Sequence, residues 1–295
     1  FNHYIEIELL KLQAISFKYC ESKFINKIFI FYNDYGNNNI DFLKDYYPKN
    51  LRSKVNIIYR DNTVHKYICC SSWKNQQYFK LYLSNYIESK YYVILDGKNH
   101  FIRKVNLNDF IKNNKPKLYL KNPGNMIKYY RNSLEYFKIK DPFEYEYSND
   151  NTKAIGNSIL TTTTPYIFIT QHVINMIKYI EYKEKESFYN FFMKNKSVTE
   201  FYLYSTYLIF SNNINKHEMV QMDNFVVTIF NDPNAYWNKY NNKKKAITDT
   251  KVKVFGLHRM AVENMDNDYK NNLLTLYSNF FDKKTCNMIK CFINP

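Results

Sequence analysis

Apolar side chains at Ile5, Leu9, Leu12 and from Ile15 to Phe17 recur at a helical spacing, so the chain opens on a helix over about residues 4–20. Lys27 to Tyr32 is then a strand-type apolar run, closed by the turn signal Asn33-Asp34-Tyr35-Gly36. A short helix near Asp41 to Tyr46 leads to a second strand at Lys54 to Tyr59. A helix over about Lys74 to Tyr86 runs into a third strand, Tyr91 to Leu95. Helices alternating with short apolar runs predict a parallel sheet. In that topology a first strand precedes the opening helix, and the pattern puts it before residue 1.

Past Asp96 the alternation loosens. The pattern predicts a short helix near Asn108, a strand at Lys117 to Lys121 and a helix over about Gly124 to Phe137. The polar, acidic and aromatic stretch Asp141 to Asn151 reads as a surface loop. Leu160 to Phe168, which carries Thr161 to Thr164, Pro165 and Tyr166, reads as extended, and Gln171 to Tyr182 is a strongly periodic helix. Thr199 stands where it would cap a helix from Glu200 to Phe210. Strands at Phe225 to Phe230 and Lys251 to Gly256 precede a helix over Tyr269 to Phe281. There is no repeat and no domain boundary, so residues 1–295 read as a single domain.

A chain of 295 residues can bury a sizeable core. Its 30 Tyr and 23 Phe, together with abundant Asn, Lys and Ile, look like the codon usage of an AT-rich genome and carry no functional weight. The formal charge of +15 favours an anionic partner: nucleic acid, anionic lipid or a phosphorylated small molecule. The basic residues are spread from Lys11 to Lys290, and only Lys243-Lys244-Lys245, read as a solvated loop, is dense. A diffuse field suits a donor carrying two phosphates, and no nucleic acid is expected.

The five cysteines, Cys20, Cys69, Cys70, Cys286 and Cys291, contain no Cys-x-x-Cys pair and leave one over in any disulfide scheme. That usage points to a reducing, cytoplasmic compartment and to no zinc site built on cysteine. No apolar run approaches the ~20 residues of a membrane-crossing helix. No membrane span is therefore expected, although attachment to a membrane surface stays open. The start does not resemble a signal peptide. P-loop, dinucleotide-fingerprint, zincin and hydrolase-elbow motifs are absent from the sequence.

The chemistry concentrates where the strand Tyr91 to Leu95 stops on Asp96, at the head of Gly97-Lys98-Asn99-His100. Such a strand delivers a carboxylate to the carboxyl edge of a sheet, where open α/β sheets bind ligands. Trp73, Gln76, Gln77 and Lys80 lie on the helix running into that strand. A sugar diphosphate needs a cation near its phosphates and a group that orients ribose or a metal, which Lys80 and Asp96 would supply. The plainer reading makes both ordinary surface charges. Glu200, at a helix start near the positive end of the dipole, suits a base that takes a proton from a hydroxyl, or is simply a first-turn acid. His100 is either near the donor or structural, His172 reads as half-buried, and His3, His65 and His217 have no partner pattern. Thr161 to Thr164 either line an acceptor pocket or fill a strand.

Trp73-x-x-Gln-Gln77-x-x-Lys80-Leu81, followed by a strand ending Leu95-Asp96-x-Lys98-Asn99, resembles the donor half of GT-A fold glycosyltransferases. The lysine-bearing helix and the strand entering an Asp-x-Asp motif are similar to those of glycogenin-like enzymes. Asp-x-Lys-Asn-His-Phe from Asp96, the Thr164-Pro165-Tyr166 segment, Glu200-Phe-x-Leu-Tyr204 and His258-Arg259 resemble, more closely, a poorly characterised family of glycosyltransferases with Asp-x-Lys-Asn-His in place of Asp-x-Asp. The resemblance implies a GT-A, Rossmann-like fold: a mostly parallel central sheet flanked by helices, with a helical C-terminal part. It implies a nucleotide-sugar half over about residues 1–105 and an acceptor half over about 106–295.

Position by position, the resemblance implies that Asp96 contacts ribose or a divalent metal, manganese or magnesium, and that His258 completes the metal shell and touches the diphosphate. Lys80, Gln77, Trp73, Lys98, Asn99 and Arg259 would surround the nucleotide sugar, a UDP-sugar first among candidates. Thr164, Pro165, Tyr166 and Tyr204 would face a glycan or other hydroxyl acceptor, with Glu200 as the acid near it. Lys98 occupies the place of the second aspartate, and an ammonium cannot ligate a cation. Either metal is held by Asp96, His258 and the donor phosphates, or Lys98 itself neutralises the leaving diphosphate. The resulting expectation is a glycosyltransferase acting from a nucleoside-diphosphate sugar. Its rivals are a non-catalytic binder of polyanions or nucleic acid and a degenerate glycosyltransferase that serves as a partner protein.

Overall fold

The structure, a computed structural model, describes residues 3–33, 39–60, 72–121, 126–142, 146–147, 154–155, 159–160, 162–222, 224–232 and 242–294. In chain order these form helix α1 (His3–Ser16), strands β1 (Ile28–Tyr32) and β2 (Val55–Tyr59), helix α2 (Ser72–Tyr82), strands β3 (Tyr91–Ile94), β4 (Asn99–Phe101), β5 (Ile111–Lys112) and β6 (Lys115–Lys121), and helix α3 (Ile127–Phe137). Strands β7 (Glu146–Tyr147), β8 (Ala154–Ile155), β9 (Ile159–Leu160) and β10 (Tyr166–Ile169) follow, then helices α4 (Thr170–Glu184), α5 (Phe188–Lys194) and α6 (Glu200–Phe210). The chain ends with strands β11 (Glu218–Gln221) and β12 (Val226–Ile229), helix α7 (Asn242–Thr248), strand β13 (Val254–Leu257) and helices α8 (Arg259–Asn264), α9 (Asn267–Tyr277) and α10 (Lys283–Ile293).

The α/β class holds, but the single, mostly parallel central sheet needs correcting. Among the described residues the strands form small ladders of two to four strands. β1 with β2, β6 with β11 and β12 with β13 are parallel. β3 with β10, β4 with β13, β5 with β6, β6 with β9 and β7 with β8 are antiparallel. An apolar run marks a strand without naming its neighbour, and the alternation in the first half says nothing of partners that arrive later, such as β10. The basic run Lys243 to Lys245 lies in α7, not in a loop. Thr161, Cys69, Cys70, His65 and Asp34 to Gly36 fall outside the described residues.

Of five apolar clusters among the described residues, the three largest hold most of these elements. The largest buries α2, α4, α5 and α6 against β3 and β10, with Phe31 stacked on Phe79 at 4.0 Å and Tyr166 on Phe201 at 4.3 Å between ring centroids. A second packs α1 with β12, β13, α8, α9 and α10, and Ile5, Leu9 and Leu12 of the predicted helical face all enter it. A third, holding Ala14, Phe17, Ile28, Phe101 and Val254, lies between α1 and the strands. Strands with helices on both faces must be apolar on both, which is why β1, β3 and β10 read as continuous apolar runs rather than alternating ones. Among the described residues no helix is long and apolar enough to cross a membrane.

Two details carry measurable consequences. Gly256 of β13 pairs with Thr228 of β12, and a Cβ there would lie 2.5 Å from the Thr228 Oγ1. Gly256→Ala should therefore cost about 1–3 kcal/mol through overpacking, read as a lower urea midpoint at unchanged slope.

His100 of β4 is wrapped by Phe255 and Tyr277, and His217 meets the Tyr204 hydroxyl through Nε2 at 3.2 Å. Burial pushes both imidazoles down to about 3. The unfolded chain takes up these protons near pH ~6.5, so it binds more protons than the folded state between about pH 6.5 and 3. Stability should fall as pH drops through that window. Urea titrations between pH 7 and 4 should show it, and His100→Gln should reduce the slope.

Candidate active site

Asp96 stands two residues past Ile94, the last residue of β3, and a tight turn fixes it. The Asn99 amide donates to the Asp96 carbonyl at 2.9 Å, and the Asp96 amide donates to Asn99 Oδ1 at 3.0 Å. Gln13 of α1 clamps the same turn from below, donating through Nε2 to the carbonyls of Asp96 at 2.8 Å and Asn99 at 2.7 Å. Continuing the β3–β10 register brings Thr164 opposite Asp96. Its hydroxyl donates to Asn99 Oδ1 at 2.7 Å and lies 3.2 Å from Asp96 Oδ2. The carboxylate is thus oriented by three separate parts of the chain.

Two ammoniums converge on it. Lys80, from the last turn of α2, places Nζ 2.7 Å from Asp96 Oδ1, and Lys98 pairs with Oδ2. Lys80 also donates to Glu200 Oε1 at 3.0 Å and stands 4.9 Å from the centroid of the Phe201 ring. The result is a chain of charges running Lys98, Asp96, Lys80, Glu200, with the last member 3% exposed. Burial opposes ionisation of Asp96, yet Lys80 and Lys98 hold its carboxyl well below the usual carboxylate range. Burial would lower the Lys80 ammonium, but Asp96 and Glu200 outweigh it and hold lysine above its ordinary value.

His258 follows β13 and caps α8, its Nδ1 accepting from the Met260 amide at 3.2 Å. An Nδ1 that accepts leaves the proton on Nε2, so the ring offers a donor. Burial, then the neighbouring Lys98 and Arg259, push its pKa down, which keeps the ring neutral. The Phe230 ring links the two residues, with Lys98 at 5.9 Å and the His258 ring at 6.4 Å.

A family model of unknown function matches residues 17–258, a span that holds Lys80, Asp96, Lys98, Thr164, Glu200 and His258. The chain belongs to the DUF6492 family. No curated protein matches it.

In this DUF6492 chain several residues expected at the site lie elsewhere. Tyr166 and Tyr204 are core side chains: Tyr166 stacks on Phe201, and the Tyr204 hydroxyl accepts from the Ile169 amide at 3.0 Å. Neither can face an acceptor, because aromatic residues of a strand and helix that pack together bury one another. Pro165 is buried between Thr164 and Tyr166. Trp73 lies 6.1 Å from the Tyr129 ring, at the opposite end of α2 from Lys80, and Gln77 is buried. Arg259 pairs with Glu6 at 3.0 Å and Glu263 at 3.8 Å, so it braces α1 against α8.

Glu200 begins α6 as expected, but the Thr199 hydroxyl makes no capping bond. The Glu200 carboxylate is 3% exposed and pairs with Lys80 at 3.0 Å, which makes it a counter-charge to that lysine. Among the described residues no group of three or more His, Cys, Asp or Glu could hold a metal ion. The donor set at Asp96 also suits a divalent cation poorly, since an ammonium already lies on each oxygen.

Two contributors were not singled out from the sequence. Gln13 is a polar residue on the buried side of α1, a signal that was there to be read. Lys74 is buried too, donating to the carbonyls of Asn195 at 2.9 Å and Val198 at 2.6 Å and lying 3.9 Å from the Phe192 ring centroid. Burial lowers its pKa to about 8, opposed by Glu200. It ties α2 to the turn that delivers Glu200, through carbonyls that leave no mark in a sequence.

Removing the shared cation should expose the cost of the arrangement. Lys80→Met leaves Glu200 buried without its partner and should cost about 3–5 kcal/mol. Lys80→Met combined with Glu200→Gln should recover part of that loss, about 1 kcal/mol or more, in a double-mutant cycle read by urea denaturation.

Proposed function

We propose that this protein is a glycosyltransferase that moves a sugar from a nucleoside diphosphate, a UDP-sugar first among candidates, to a hydroxyl of a glycan or protein. The observation that carries the reading is the convergence of Lys80 and Lys98 on a strand-end carboxylate beside neutral His258. Carboxyl ends of strands are where open α/β sheets take their ligands. Lys98 is the outer cation, 19% exposed at its side chain, and it can turn from Asp96 to an incoming diphosphate. When the bond from the sugar's anomeric carbon to the diphosphate oxygen breaks and the acceptor oxygen bonds that carbon, negative charge grows on the departing phosphate, which takes up the proton that the acceptor hydroxyl releases. An ammonium and an Nε2 donor already in place there lower the barrier without reorganising.

Asp96 then has two tasks: holding Lys80 and Lys98 when the site is free, and accepting from ribose or sugar hydroxyls once Lys98 has moved. Asn99 and Thr164 keep it in place, and Glu200 keeps Lys80 charged. The Lys98 ammonium supplies the charge that a metal would bring, so donor binding does not depend on a divalent ion. The free thiols of Cys20, Cys286 and Cys291 suit a reducing compartment such as the cytoplasm.

One feature favours a second reading. An ammonium already stands beside each Asp96 oxygen, so the charge of the carboxylate is balanced without a ligand, as in a degenerate enzyme kept as a partner protein. Calorimetric titration with UDP, GDP and their sugar conjugates separates the two. A catalytic site should bind one nucleotide with chelator present, lose about tenfold or more in affinity in Lys98→Ala, and turn over the conjugate. Binding without turnover supports the partner reading. Indifference to every nucleotide, with steeply salt-dependent binding of RNA or DNA, would point to a polyanion binder.

A further inference from the structure

A cavity of about 510 Å³ lies between β1 and β3, lined along its length by residues 27–31 of one strand and 91–95 of the other. β1 pairs only with β2 and β3 only with β10, so among the described residues the edges that face the cavity have no strand partner. The two strands run the same way. Lys27 meets Glu88 at 3.0 Å and Asn26 meets Ser89 at 3.2 Å at their amino ends, while Asn33 and Asp96 border the cavity at their carboxyl ends.

Their faces match as well. Phe29 and Phe31 share a cluster with Tyr92 and Ile94 on the α2 side, and Ile28 and Ile30 share one with Tyr91 and Leu95 on the α1 side. Two parallel strands with the same inside and outside, separated by an apolar cavity, are members of one sheet with a place between them. The side chains agree: Val93, in mid-strand, is 38% exposed although helices cover both faces.

We propose that this cavity takes one further β-strand of the protein's own chain, an apolar segment of about five residues that leads directly into α1 and runs parallel to β1 and β3 between them. The case for the protein's own chain rests on α1. Its Leu10, Gln13 and Phe17 line one face of the cavity, and α1 passes through short turns into β1, antiparallel to it. The first half of α1 lies at the carboxyl edge, where Glu6 pairs with Arg259 just past β13 and Leu10 borders Gly97. A strand ending at that edge would meet the start of α1 over a short link. Strand, α1 and β1 would form the right-handed crossover that parallel strands almost always use. A strand from another protein would have to enter between two strands already covered by helices.

The inserted strand would join β2, β1, β3 and β10 into one sheet, parallel except for β10. Its last residue would stand beside Asp96, so the carboxyl edge of the candidate site gains a wall. The proposal stands apart from the glycosyltransferase reading and does not need it.

The test uses the protein produced from its natural start codon. Hydrogen exchange should show the amides of Phe29 to Phe31 and of Val93 slowed on the order of 100-fold or more relative to exposed loop amides. Val93→Lys should lower the melting temperature by about 4 °C or more, because the added charge would face a filled core position. The proposal is overturned if these edge amides exchange as fast as loop amides, if Val93→Lys leaves melting unchanged, or if the natural chain begins at α1 itself. Should Val93→Lys fail to fold, exchange on the unsubstituted protein still decides.

Discussion

Lys80 is the hinge of the structure. Its ammonium stands 2.7 Å from one carboxylate and 3.0 Å from another, and these belong to a strand end and a helix start. A buried charge costs several kcal/mol unless it is paired and bonded, so the position of each partner is constrained by the other two. α2 must present its last turn to the end of β3, and α6 must begin where Glu200 can reach beneath. The aromatic packing of Phe79, Phe201 and Tyr166 supplies the apolar wall that makes the constraint strict, because water cannot replace a lost partner there.

Around that hinge the molecule invests polar groups rather than apolar ones. Gln13, Asn99, Thr164 and Lys74 are all buried, and each spends its hydrogen bonds on placing the backbone or side chain of Asp96 or the approach to Glu200. A core built for stability alone would have used apolar residues at these positions. These buried polar groups frame the candidate site, with Lys98 and His258 only partly buried beside it.

The site and the cavity between β1 and β3 meet at the same edge. Asp96 borders the cavity at one end, while the Lys27–Glu88 and Asn26–Ser89 contacts lie at the other. A sheet that keeps its two central neighbours aligned across such a cavity must be held from outside. Here α1 and α2 do so from opposite faces, through Phe17 and Leu10 on one side and Phe79 on the other.

Local pattern alone determined a good part of this. The period of Ile5, Leu9 and Leu12 gave α1, the apolar runs gave β1, β2 and β3, and the abrupt change after Leu95 located Asp96 at a strand end. Glu200 at the start of α6 was legible in the same way, because helix boundaries are written in neighbouring residues. α5, α8, α10, β4, β5, β7, β8 and β11 lay beyond that reading: the strands, two to four residues each, are too brief to show a period, α5 and α8 span only 7 and 6 residues, and α10 spans 11. Tertiary structure decided which strands pair, that Tyr166 and Tyr204 face the core, and that Lys80 serves Glu200 as well as Asp96. The reason is physical: side-chain periodicity reports which face is buried, whereas the partner on that face is chosen by register, handedness and packing between segments far apart in the chain. Lys80 and Glu200 lie in different helices, and only the folded chain makes them neighbours.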